Sequence, residues 1–456
     1  MQKIGQYLIS ILVGLLPWSV IISVFGTYQL DMGGIRFFKE ILVFLIVIVY
    51  ICDVWRKKIK IQLDTLDYSI VGYICVLLWV SLIEGTPLKG MIYGLRYDAA
   101  FFFVLLIFRR ALPLWGITFQ SLAKIFLLSG GAMLIMSFLI RYVFGEMLLT
   151  LFGFSDHVSV WTEGGPPPIY HGIAGAAVVR FQGMLEWPNQ MAFFLLTYIG
   201  TYLAIMARYK KYRFFNVIIV ALLAFLLLLT YSRSGYIWFV VGSIVVIVSI
   251  FFHKMKQRKQ SGKKLFSLKK TLVTLVIILI AGSALTLQFG NKFTAIFERR
   301  GSTSGHFERM YMGFLRFSKH PLWQGLASAG PASRALYDVN EVPITVEPSD
   351  KNIATIVRTL KARNKDFIYN SETYYIPESW YIQQLIEGGI LWFFFFLAII
   401  VGILAQIRFS PYMLAAFVGV LMMNIFLHSF ESMHSSFALF ILCAPLLAYK
   451  IQNKWK

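Results

Sequence analysis

"ESWYIQQLIEGGI", Glu378–Ile390, opens a long apolar run and begins with an acid. An acidic side chain is costly beside lipid, so Glu378 either sits in water at the mouth of a membrane helix or has a task there. Two readings of the residue stand side by side. Following Pro377, it can serve as a capping acid, whose carboxylate gains about 0.3–1 kcal/mol against a helix dipole. At the mouth of a bundle, a carboxylate ionised at neutral pH can also accept a proton from an attacking hydroxyl. The second reading is the one carried forward.

The surrounding chain is unlike a soluble domain. Of 456 residues, 58% are hydrophobic and 14% charged, against about 45–50% and about 25% in soluble proteins. Mean hydropathy is +0.69. Apolar runs of about 20 residues, enough to cross a hydrocarbon core of about 30 Å, recur along the sequence. Spans are expected near 7–25, 36–54, 67–84, 97–112, 121–143, 189–207, 214–231, 235–252, 271–288, 382–405, 410–428 and 433–450. The first run lacks a small-residue cleavage site, so it reads as a retained helix. The expected fold is an all-α integral membrane protein of about twelve transmembrane helices, with a large, partly helical external loop between spans 9 and 10.

The net charge of +21 does not point to nucleic acid. Its basic residues sit in short loops beside apolar spans: "RKKIK" (56–60), "RR" (109–110), "RYKKYR" (208–213) and the run 253–270. That is the positive-inside pattern, which places these loops and both termini in the cytoplasm. Cys52, Cys75 and Cys443 lie in or beside apolar runs without metal or redox spacing, and they read as small hydrophobes.

Two polar interruptions then fall on the outer side. The first, near 144–188, contains "TEGGPPPIY", which cannot be helical throughout. The second, 289–381, is far longer than an ordinary connection and reads as a loop domain between residues 1–288 and 382–456. Amphipathic helices are expected within it at 306–319 and 352–365.

Cations gather at the same face. Arg180 precedes a span in "RFQGMLEWPNQ", Arg233 stands in the turn "YSRSGY", and His306 and Arg309 begin the long loop in "GHFERM". Singly, an arginine near a span end often only snorkels toward headgroups. Converging beside an apolar bundle, such groups make a clamp for a lipid-linked phosphate, because guanidinium donates bidentately and stays charged. No His or carboxylate set has metal-ligand spacing, so neither metal nor cofactor is expected.

These motifs resemble the O-antigen ligase/polymerase superfamily. The matching pieces are R-x-x-G-x-x-x-x-P-N at Arg180–Asn189, S-R-S-G at Ser232–Gly235, S-T-S-G-H at Ser302–His306, H-P-L-x-x-G at His320–Gly325, and Glu378–Ile390 itself. The resemblance implies a metal-independent, inverting glycosyltransferase of the bacterial cytoplasmic (inner) membrane, with its active site on the outer face. Its substrates would be undecaprenyl-pyrophosphate-linked glycans as donor and acceptor, with membrane lipid and a chain-length regulator as further partners. In the ligase pattern a histidine stands where this chain has Glu378, and many members have an arginine at the place of His306. Both departures look like those of repeat-unit polymerases, making O-antigen, capsule or exopolysaccharide. On that comparison Glu378 is the general base, Arg180 and Arg233 hold the pyrophosphate, and His306 or Arg309 completes the clamp. The alternatives are a ligase moving finished glycan to lipid A-core or protein, and a twelve-span transporter or flippase. A transporter would show midplane polar groups and internal repeats.

Overall fold

The computed structural model describes residues 1–157, 165–173, 176–206, 209, 212–260, 300–330, 332–333, 377–427, 430 and 432–448; at some of these, His306 among them, only the backbone is described. The architecture is mostly helical. Among the described residues, seven helices are long and apolar enough to cross a membrane: Gln2–Gln29, Thr65–Ile83, Leu88–Leu114, Phe119–Phe144, Pro188–Met206, Arg233–Phe252 and Trp380–Ile407. Three shorter apolar helices, Phe214–Leu229, Pro411–Met423 and Met433–Leu447, pack with them, as does Phe38–Arg56. The span expected at 271–288 and the amphipathic segment at 352–365 lie outside the described residues.

Local chemistry sets where these helices start. Asp64 and Asp67 form a reciprocal capping box at the head of Thr65–Ile83, and Thr118 and Ser121 do the same for Phe119–Leu139. Each box satisfies backbone N–H groups that a helix start leaves without partners. Pro17 is accommodated in a 3₁₀ turn, Leu16–Trp18, where it costs no ladder hydrogen bond.

The middle of the bundle is aromatic. Phe101 lies 4.5 Å from Phe102 and 5.0 Å from Phe440, and Trp380 lies 5.0 Å from Phe430, centroid to centroid. These rings join Leu88–Leu114, Trp380–Ile407 and Met433–Leu447 into one core, which edge-to-face contacts stabilise beyond simple burial. Pro411–Met423 packs against both Pro188–Met206 and Arg233–Gln260. Its antiparallel register sets Ala415 against Gly242 and Gly419 against Trp238. The same register puts Asn424 level with Arg233.

Three features depart from a plain helical bundle. An antiparallel hairpin, β1 (His171–Ile173) and β2 (Ala176–Arg180), pairs His171 with Arg180 within the first polar interruption. The Trp380–Ile407 helix breaks at Gly389, whose φ of 68° and ψ of −171° lie in a region only glycine enters freely. The third is what fills the break. The Leu322 carbonyl stands where a side chain at 389 would be, the Ile390 amide donates to Pro321 O at 3.3 Å, and the Gly325 amide donates to Glu387 O at 2.9 Å. Backbone groups freed in an apolar bundle need such protein partners. Residues 321–330 and 332–333, expected as part of the loop domain, therefore lie against the bundle, with Leu326, Ala329 and Ala332 buried.

Candidate active site

Glu378 does not cap its helix. The helix begins at Trp380 with Ser379 as the cap residue, and Ser379 makes no side-chain cap bond. Glu378 stands one position outside, in the left-handed region at φ 53°. A non-glycine residue there is strained, and such strain tends to collect at functional sites. Its carboxylate is instead ion-paired with the Arg309 guanidinium. Arg309 comes from the Arg300–Lys319 helix, which Phe307 anchors edge-to-face on Phe426 at 5.9 Å. The adjoining Trp380 amide donates to Asn424 O at 3.0 Å, fixing the mouth of the helix to the end of Pro411–Met423. His306 lies on the same helix one turn before Arg309, but its side chain is outside the described positions.

Arg180 and Arg233 meet at one turn. Arg180, the last residue of β2, donates from Nε to Thr230 O at 3.0 Å and from Nη2 to Asn189 Oδ1 at 2.9 Å. The Phe181 amide adds a bond to Leu229 O at 2.8 Å. The guanidinium thus sits at the carbonyl end of the Arg213–Leu229 helix, where a cation is favourable. The R…P-N spacing is explained by the Arg180–Asn189 bond. Next, Tyr231 turns through φ 49°, and Ser232 Oγ accepts from the Gly235 amide at 3.3 Å, capping the helix that Arg233 begins. Arg233 is level with Asn424, and Asn424 holds Trp380, so both groupings occupy one end of the bundle.

Sequence reading missed a buried layer just below. Asp98 and Glu387 are fully buried carboxylates. Asp98 Oδ1 accepts from Gln384 Nε2 at 2.7 Å and from Gln383 Nε2 at 3.2 Å. Glu387 accepts from Gln383 Nε2 and from the Ala329 amide, each at 3.4 Å. Tyr73 donates to Gln384 Oε1 at 2.5 Å. The signal was present in "QQLIE", three polar residues on one helix face inside an apolar run, a pattern that by default marks a site. Gly330, at φ 69°, is where the inserted segment passes over Gln383, leaving no room for a Cβ.

The hairpin adds His171. Its Nε2 donates to Glu186 O at 3.0 Å, and its ring stacks on Trp187 at 4.2 Å. Burial pushes the imidazole down to about 4; the nearby Arg180 charge adds to this, and the Glu186 contact opposes it. Among the described residues, no group of three or more His, Cys, Asp or Glu is placed to hold a metal ion.

A family model described as O-Antigen ligase matches residues 218–397. No curated protein matches the chain. The matched segment contains Arg233, Arg309 and Glu378, while Arg180 lies before it. The match supports the O-antigen ligase/polymerase superfamily, and with the apolar helices it indicates a membrane protein.

Proposed function

We propose that this chain, whose kinship is with the O-antigen ligase/polymerase superfamily, polymerises polyprenyl-pyrophosphate-linked repeat units into a surface polysaccharide. The observation that carries the reading is the strained Glu378 paired with Arg309 at the mouth of the bundle, at the same end as Arg180 and Arg233. Glu378 accepts the proton of an acceptor hydroxyl, whose oxygen forms a bond to the anomeric carbon of the donor sugar. The bond from that carbon to the pyrophosphate oxygen breaks, and the lipid pyrophosphate leaves with the electron pair. Activation is stored in the donor, so the protein's work is to orient two bulky substrates and to offset charge on the leaving group. Arg309 turns Glu378 toward the hydroxyl in the resting site and stands ready to share its donors with the pyrophosphate. Arg233 provides a second cation at that end.

The same reading supplies the finer topology. It places about twelve spans in the bacterial cytoplasmic membrane, with both termini inside and the Glu378 end facing outward. The donor and acceptor carrier is undecaprenyl pyrophosphate, no metal takes part, and a chain-length regulator is a further partner. The family description favours one competing outcome, transfer of finished glycan to lipid A-core or protein. Glycan banding in a deletion strain separates them: loss of a polymerase leaves single repeat units on the acceptor, loss of a ligase leaves long chains on the carrier. The mechanistic test is Glu378→Gln at normal protein abundance. Full-length polymer in that strain sinks the base assignment.

A further inference from the structure

The ion pair at Glu378 does little to hold itself in place. The Arg309 side chain is exposed and that of Glu378 is partly so, and a pair open to water hardly fixes the elements that carry it. The Arg300–Lys319 helix is held beside the mouth by other contacts. Phe307 meets Phe426 near its start, and Met312 is buried in its middle. Near its end comes a polar attachment. Arg316 donates from Nε to Gln324 Oε1 at 2.7 Å, and Gln324 Nε2 donates back to Arg316 O at 3.4 Å. The backbone amide of Gln324 reaches Glu387 O at 3.4 Å, beside the shorter bond from Gly325. Gln324 therefore joins the helix that carries Arg309 to the broken helix that follows Glu378.

The segment that Gln324 belongs to is fixed to the bundle on a third side. The Leu326 amide donates to Ser81 Oγ at 3.0 Å, and Trp323 meets Trp79 edge-on at 5.7 Å, both on Thr65–Ile83. Spacing then makes the arrangement a frame. Arg309 and Arg316 are seven residues apart, as are Trp380 and Glu387, which is about 10.5 Å along each helix. Residues at that spacing share one helix face. The two helices pack side by side, level at the ion pair and tied again at Glu387. A helix is stiff over two turns, so the position of the lower tie sets the position of Arg309. A slip of one residue would carry the guanidinium about 1.5 Å along the axis. A misplacement of about 1 Å is enough to cost about 10²-fold in rate.

We propose that Gln324 is a positioning residue for the transfer step, clasping Arg316 so that the Arg300–Lys319 helix presents Arg309 to Glu378 and to the leaving pyrophosphate. The role rests on the glycan-transfer reading above. It is tested by the kinetics of polymer formation by the purified full-length protein, supplied with the lipid-linked repeat unit extracted from source cells lacking this protein. Gln324 is half-buried, and Gln324→Leu removes its side-chain bonds while leaving its backbone amide on Glu387. This variant is expected to lower kcat about ten-fold or more, with KM within about two-fold and the unfolding temperature unchanged. Gln324→Glu should restore most of the rate, since a carboxylate oxygen accepts from Arg316 as the amide oxygen does. Gln324 and Arg309 act as one unit in this account. On the residual activity of Arg309→Ala, Gln324→Leu should therefore cost less than about two-fold more, whereas independent sites add in full. Arg316→Met breaks the same bond from the other side and keeps the test open if Gln324→Leu fails to fold. An unchanged kcat, a loss that Gln324→Glu does not restore, or a full additional loss on Arg309→Ala overturns the positioning role. A wild-type chain that forms no polymer from this substrate overturns the transfer reading, and the positioning role falls with it.

Discussion

The two ends of the bundle hold similar side chains in opposite conditions. At one end Arg109, fully buried, donates from Nη2 to Asp64 at 2.6 Å and from Nη1 to Asp67 at 3.0 Å. Those two acids also cap the Thr65–Ile83 helix, and Arg110 binds Asp67 as well. Burial opposes ionisation of Asp64, but the Arg109 guanidinium outweighs it and holds the carboxyl below the usual range. Nearby, Asp53 accepts from Lys57 at 3.1 Å and Trp115 at 2.9 Å. Each charge has its complement within the fold. At the other end Glu378 is held in a strained backbone, and the Arg309 guanidinium paired with it is open to solvent. Charge inside an apolar bundle is thus arranged either to close on itself or to meet something from outside.

The sharpest way to break this contrast is to cut one charge at each end and separate activity from abundance. Glu378→Gln is expected to lower polymer formation by about 10²–10⁴-fold, the usual worth of a general base, with protein level and unfolding temperature unchanged. Arg109→Ala should do the reverse. It takes the arginine from Asp64 and leaves the buried Asp67 with Arg110 alone, for a stability loss of about 3 kcal/mol, seen as low abundance and an early thermal transition. An Arg109→Ala protein of normal stability would show that this end is not structural.

Gly389→Ala sits between the two classes. A methyl group there meets the Leu322 carbonyl, and the backbone conformation is strained for any other residue; the expected loss is about 3 kcal/mol. It should appear in thermal unfolding and in protease sensitivity of the 321–333 segment. The smallest effect is with pH. His171 is neutral and held down to about 4 from an ordinary 6.5, so between those values the unfolded chain binds more protons than the folded one. Its stabilising contribution is therefore complete above pH 6.5 and declines as pH falls toward 4. The unfolding temperature should drop on going from neutral to mildly acid buffer, and His171→Gln should flatten that slope.

Much of this was legible in the chain. Hydropathy anticipated the mostly helical architecture of the described residues, and motif order brought Arg180, Arg233, Arg309 and Glu378 into view together. What it missed has physical reasons. Arg309 and Glu378 are 69 positions apart, and nothing local to either marks the other as its partner. Glu378 after Pro377 looks like a cap because spacing alone cannot show the left-handed turn that moves it outside the helix. "RR" at 109–110 read as cytoplasmic loop charge, yet both arginines bind acids at the head of another helix, a pairing only tertiary contact creates. Hydropathy is equally blind to the break at Gly389, since both half-helices are apolar.

The break at Gly389 also bears on how the protein is made. Leu322 leaves the ribosome well before the helix whose gap its carbonyl fills. Residues 321–325 must therefore wait, without their final partners, until the Trp380–Ile407 segment has been synthesised and inserted. Seating this strap on Glu387 and Ile390 therefore follows the synthesis of the Trp380–Ile407 segment. A chain stopped before Trp380 would lack the partners on which the strap is seated.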